Sequence, residues 1–180
     1  MGTGLKIFLL MILGAIILLA IQFNNLIRSR NKVRQSKSSI DVYLTQRFDL
    51  IPNLINTVKA YATYETETFT KMTEMRSQYA NTKNIKLAEN LANTMNSIMA
   101  VAEKYPDLKA SEQFLNLENA LIRMESQLQA ARRIYNGDVT LYNTAIQTFP
   151  NNIIASMFDF KPEDLFIAEE YKKENIKVKV

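Results

Sequence analysis

Ser29 and Lys32 stand three residues apart, the spacing at which a lysine amine can activate a serine hydroxyl for nucleophilic attack. The companion motifs of such a site are missing, and both residues sit in a basic stretch, so a solvated helix face is the simpler reading. Arg47, Asp49 and Asn53 fall within about two helical turns and form a candidate polar recognition site. In the plainer alternative Asp49 caps a helix and Arg47 pairs locally. Arg132 and Arg133, with Asn136 and Asn143, have the chemistry to bind an anion. A solvated face with interhelix hydrogen bonds accounts for them more simply. Asn151 and Asn152, just after Pro150, complete this set of polar recognition or structural positions. Glu65 and Glu67 offer two carboxylates to a hard cation, but without a Gly-containing loop to turn the chain around it. Tyr61, Tyr64, Tyr79, Tyr105, Tyr135 and Tyr142 lie at helical spacing and read as seam residues whose hydroxyls reach the edge of a bundle. The methionines read as gap-fillers in the same seams.

The chain has no Cys and no His. Disulfides, thiol nucleophiles, imidazole bases and most transition-metal sites are thereby removed. No catalytic residue, cofactor or metal is expected. Four Gly and four Pro in 180 residues favour long helices over a turn-rich β architecture.

Apolar residues recur at steps of three and four through most of the chain. The first run is Ile40, Leu44, Phe48, Ile51, Ile55, Val58, Ala62, continued less regularly by Phe69, Met72 and Tyr79. Asn81, Thr82 and Asn84 mark a loop. Ile85, Ala88, Leu91, Met95, Ile98, Ala102 and Tyr105 form the next run, closed by Pro106 because proline disfavours helix at the residue before it. Ser111 is the expected N-cap of the longest run, which goes from Phe114 through Leu128, Tyr135 and Tyr142 to Phe149. A helix over residues 112–148 would be about 55 Å long and must pack along more than one neighbour. The expected fold is all-α, a long antiparallel up-and-down bundle. It has four helices if Pro52 sits in the first turn of a new helix, and three if Pro52 only kinks one. After Asn152 the period is lost, and a short helix and an extended segment are expected to pack on the bundle.

The N-terminal part of the chain sets the location. Residues 7–21 are apolar and residues 7–27 carry no charge. At 1.5 Å per residue the uncharged stretch makes about 31 Å of helix, matching a hydrocarbon core of about 30 Å. A signal-peptide cleavage site wants small residues at two positions separated by one, and residues 19–23 offer only Ala20, so a retained anchor is expected. Arg28, Arg30, Lys32, Arg34 and Lys37 follow the span, against Lys6 and the terminal amine before it. The positive-inside rule then puts the N-terminus outside and the bundle in the cytoplasm, with the five cations at the membrane surface. The expected organisation is a short segment at 1–6, an anchor at 7–27, a basic juxtamembrane segment at 28–37, a bundle at 38–160 and an extended segment with a mobile basic tail at 161–180.

The net charge of +4 belongs to the ends: residues 38–170 sum to −5. A nucleic-acid binder needs a basic face on its folded body, so nucleic acid is not an expected partner.

Two blocks of this sequence resemble the LemA family. Ile40-Asp41-Val42, Leu44, Arg47-Phe48-Asp49-Leu50-Ile51-Pro52-Asn53-Leu54 and Val58-Lys59 with Tyr61-Ala62 are similar to its first signature. Ala131-Arg132-Arg133, Tyr135-Asn136, Tyr142-Asn143, Ile146 and Phe149-Pro150-Asn151-Asn152 are similar to its second. Tyr105-Pro106-Asp107-Leu108-Lys109, Phe160-Lys161-Pro162 and Ala168-Glu169-Glu170 also fit. The resemblance implies a bacterial membrane-anchored helical bundle and favours four helices. It implies no active site. The expected function is a non-enzymatic scaffold or adaptor at the cytoplasmic membrane. Membrane lipid and an unidentified membrane or envelope protein are the expected partners, and homo-oligomers remain open. The alternatives are an enzyme or enzyme subunit in envelope or peptide processing, using carboxylate, Lys or Tyr groups, and a self-assembling membrane-bound structural protein.

Overall fold

The structure, a computed structural model, describes residues 2–61, 66–102 and 104–166, with the backbone alone for Thr66, Ile85 and Val101. Glu65, Tyr64, Ala62, Ala168-Glu169-Glu170 and the basic tail lie outside the described residues. Among the described residues there are seven helices and no strand: α1 Thr3–Phe48, α2 Ile51–Lys59, α3 Thr66–Thr82, α4 Ile85–Ala102, α5 Pro106–Lys109, α6 Glu112–Gln147 and α7 Asn151–Met157. The fold is all-α, a long apolar N-terminal helix followed by a helical bundle.

α1 runs for 46 residues without a break, about 69 Å of helix. It stops at Phe48 for a covalent reason. Pro52 has no N–H to give the Phe48 carbonyl, and its ring crowds that carbonyl. α2 starts at Ile51 with Pro52 in its first turn, so Pro52 marks a helix boundary. The expectation that Asp49 caps α2 is corrected. The cap position is Leu50 in an α-helical conformation, with no side-chain cap bond.

The other boundaries follow local chemistry. α3 and α4 are separated by Lys83, whose φ is 50°, and by Asn84, whose Oδ1 accepts the Lys86 and Leu87 amides at 2.9 and 3.4 Å. This is an N-cap satisfying two otherwise orphaned donors. Tyr105 is extended before Pro106 (φ −120°, ψ 91°). Ser111 Oγ accepts the Phe114 amide at 3.3 Å, as expected for the cap of α6. The Phe149–Pro150 peptide is cis and joins α6 to α7.

The chain divides into two units, 1–37 with 132–180 and 38–131. In the second unit α3 packs on α2 and α4, and α4 on α5. Its core includes Ile40, Leu44, Phe48, Leu54, Val58, Met72, Leu91, Met95, Leu108 and Leu128, all buried. In the first unit Leu26 and Val33 of α1, Val139 and Ile146 of α6, Ile154 of α7 and Phe160 are buried. Among the described residues, two expected seam residues are exposed. Phe149 is 81% exposed, because α6 ends at Gln147 and the chain turns before Phe149 can continue the stripe. Tyr61, past the end of α2, is 43% exposed.

Candidate functional site

The polar side chains of α6 hold the extended segment 161–166 by its main chain. Asn143 Nδ2 donates to the Glu163 carbonyl (2.8 Å) while its Oδ1 accepts the Glu163 amide (2.9 Å). Asn136 repeats the two-point clasp on Phe166, at 2.9 and 2.7 Å. Tyr142 and Tyr135 donate their hydroxyls to the carbonyls of Lys161 (2.9 Å) and Asp164 (3.0 Å). The register has a geometric cause. Seven helical residues advance about 10.5 Å, and three extended residues advance about 10 Å. Tyr-Asn pairs one heptad apart therefore meet the strap at every third residue. The strap runs opposite to α6, since higher strap numbers meet lower helix numbers.

A phenol must keep its proton to serve as such a donor. Burial pushes the Tyr135 hydroxyl above its usual range, and the Glu163 and Asp164 carboxylates push the same way. Burial also raises Tyr142, with Arg30 and Arg34 pulling it down and Glu163 pushing it up. Both rungs thus stay protonated through neutral pH. A guanidinium lies over the aromatic ring at each end of the strap. The Arg132 guanidinium lies 4.5 Å from the Phe166 ring centroid, and that of Arg30 lies 4.9 Å from Phe160.

The second unit holds a different site. Arg47 is 8% exposed, and its Nη1 meets Glu125 Oε2 at 2.5 Å. Gln129 donates to the other oxygen of Glu125 at 3.1 Å. The Nε of Arg47 is buried and has no hydrogen-bond partner. Beside it is a cavity of about 270 Å³ lined by Arg47, Met95, Asn96, Met99, Glu118, Leu121, Ile122 and Glu125. A groove of about 430 Å³ next to α2 is lined by the amides of Asn53, Asn56, Gln113 and Asn116, among others.

Arg47, Asp49 and Asn53 therefore do not converge. Arg47 pairs with Glu125, Asn53 faces the amide groove, and Asp49 accepts from Arg76 Nη2 at 2.8 Å. Asn136, Asn143 and Arg132 do converge, on the strap, while Arg133 is exposed. Asn151 is half-buried with a buried, unpartnered Oδ1, and Asn152 is exposed. Arg28, Lys32, Arg34 and Lys37 are exposed on α1, and Arg30 is half-buried against Phe160. Ser29 is half-buried and Lys32 exposed on the same helix, and Glu67 is exposed. Sequence reasoning missed Glu125 and Arg76. It also missed the signal for the burial of Arg47, which extends the stripe Leu26, Val33, Ile40 by one more heptad.

An all-α chain whose exposed, apolar N-terminal helix continues into a helical bundle belongs to a class of membrane-associated helical proteins. Within it, this chain belongs to the LemA family, whose sequence model matches residues 36–180. Protein LemA of Metamycoplasma hominis is 27% identical over 158 residues, covering 85% of this chain and 72% of the relative. Magnetosome protein MamQ of Magnetospirillum gryphiswaldense is 20% identical over 201 residues, covering 92% and 74%. Magnetosome protein MamQ 2 of Paramagnetospirillum magneticum is 30% identical over 74 residues, covering 41% of this chain and 27% of the relative.

Proposed function

We propose that the chain is a single-pass, non-enzymatic scaffold or adaptor that holds a helical bundle at the bacterial cytoplasmic membrane. The observation that supports this most is the continuity of α1. Its apolar part has a mean hydropathy of 2.7 with none of that window buried, long enough to cross a membrane. The same helix then supplies Ile40, Leu44 and Phe48 to a folded core. The N-terminus lies outside and the bundle in the cytoplasm, with Arg28, Lys32, Arg34 and Lys37 against anionic headgroups. The relatives carry the names LemA and magnetosome protein MamQ, which bring no reaction to this chain.

The partner is another membrane or envelope protein. Crosslinking in native membranes followed by mass spectrometry is expected to recover it reproducibly. A chain recovered only as itself, over several growth conditions, would overturn the adaptor role. Orientation is read separately, because the chain has no native Cys. In intact cells an impermeant maleimide should label Gly2→Cys and leave Lys71→Cys unlabelled, and the reverse pattern inverts the topology.

One observation favours a second reading, a small anionic ligand at the Arg47 cavity: the unpartnered Nε of a buried Arg47. Thermal-shift screening of small carboxylates and phosphates against the native chain and Arg47→Met tests it. A shift in the native chain alone would support it, and identical behaviour of both would dismiss it.

A further inference from the structure

Residues 139–158 form a second long stretch without a charge, 20 residues that end α6, turn, and form α7. One side of α7 is buried through Ile154 and Ala155. The exposed residues of α7 are Asn152, Ile153, Ser156 and Met157, with Phe149 and Phe158 at its two ends; of the apolar ones Phe149 is 81% exposed, Met157 73%, Phe158 56% and Ile153 52%. Ile153 and Met157 are four residues apart on α7 and share one face, while Phe149 and Phe158 flank the helix in the turn before it and just after its end. Contiguous apolar surface of this kind marks a docking face.

The level of that face is set by Phe23. The Phe158 ring lies 4.7 Å from it and the Phe160 ring 6.0 Å. Phe23 is two residues beyond the apolar run that ends at Ile21 and five before Arg28, the first cation after the span. Five helical residues are about 7.5 Å. Phe158 therefore lies below the first basic side chain, at the rim of the hydrocarbon. Charge resumes on the far side of this rim on both segments, with Arg28 on α1 and with Asp159, which pairs with Lys161 at 3.2 Å. Aromatic and aliphatic side chains on an uncharged helix at this depth suit the headgroup–acyl boundary.

From this placement we infer that the turn and α7 form a second membrane contact, with Phe149, Ile153, Met157 and Phe158 dipping into the bilayer interface beside the anchor. The inference rests on the reading of α1 as a membrane span. Its occupant is lipid, and a second copy of the chain covering the same face is the competing outcome.

The chain contains no Trp, so single tryptophans report depth directly. The full chain is reconstituted in phosphatidylcholine–phosphatidylglycerol vesicles without bromine, with lipids brominated near the headgroup end of the acyl chain, which read positions 149, 157 and 134, or with lipids brominated near its methyl end, which read position 13. Four variants are compared: Leu13→Trp in the span, Phe149→Trp, Met157→Trp, and Ile134→Trp on the exposed face of α6. The expected result is short-wavelength emission and at least twofold quenching at positions 149 and 157. Position 134 should emit at long wavelength and stay unquenched. If 149 and 157 behave like 134 while 13 is quenched, the second contact is wrong and the anchor stands. If 13 is unquenched as well, the anchor reading falls and takes this inference with it. Short-wavelength emission at 149 and 157 without bromine quenching means that protein covers the face, and it overturns the inference too.

Discussion

Arg76 replaces the hydrogen bond that Pro52 cannot make. Its Nε donates to the Phe48 carbonyl at 3.1 Å, the acceptor orphaned four residues before the proline, and its Nη2 holds Asp49 at 2.8 Å. A side chain from α3 thus closes the break between α1 and α2. Arg76→Leu should cost about 1–2 kcal/mol by leaving that carbonyl unpaired. Pro52→Ala should recover part of the loss in the Arg76→Leu background, because an alanine in place of the proline brings back an N–H for the Phe48 carbonyl. Urea titration of the four members of this double-mutant cycle gives the coupling. Purely additive effects would show that the two residues do not serve one acceptor.

The clasps on the strap predict a local signature. The amides of Glu163 and Phe166 donate into Asn143 and Asn136. Asn143→Ala should deprotect the Glu163 amide to hydrogen exchange and Asn136→Ala the Phe166 amide, each destabilising the chain by about 1–3 kcal/mol. Equal protection in mutant and native chains would mean that the clasps do not form in solution.

Tyr79 predicts a gain. It is 2% exposed, its ring meets Phe48 edge-on at 4.9 Å, and its hydroxyl has no hydrogen-bond partner. Tyr79→Phe removes an unsatisfied polar atom without changing the packing, and should stabilise by about 1 kcal/mol. It should also change the alkaline limb. Burial, with a smaller push from Asp41, raises the Tyr79 hydroxyl to about 12. A folded value above the unfolded one of about 10 makes its contribution complete below pH 10 and lost as pH rises toward 12. The melting temperature of the native chain should therefore fall more between pH 10 and 12 than that of Tyr79→Phe. Parallel curves would contradict the burial of the hydroxyl.

Arg47 and Glu125 predict an asymmetry. The Glu125 side chain is 35% exposed and that of Arg47 10%. Removing the acid strands a buried cation, so Glu125→Ala should cost about 2–3 kcal/mol, short of a fully buried pair. Arg47→Met leaves an acid that water can reach, and should cost less. Chemical denaturation ranks the two, and the opposite order would refute this account.

The helices were readable because their causes are local. Pro106, Ser111 and the Asn81–Asn84 cluster act within a few residues, and α6 ended within one residue of its expected limit. The partners were not readable. Nothing near Asp49 names Arg76, 27 residues on, and nothing near Arg47 names Glu125, 78 residues on. Asn136 and Asn143 could be singled out as polar, but their target is a main chain, which carries no sequence signal. Phe149 misled because its spacing continued a stripe after the helix had stopped.

The ladder on α6 grips peptide groups and leaves most of the strap's side chains outside. Lys161, Pro162, Asp164 and Leu165 are exposed while their neighbours' backbone is clasped. The strap is therefore held whatever most of its letters spell. Its outward positions can drift, or be rewritten as a displayed epitope, at little cost to docking. Pressure to stay the same falls instead on Tyr135, Asn136, Tyr142 and Asn143, the four that do the holding.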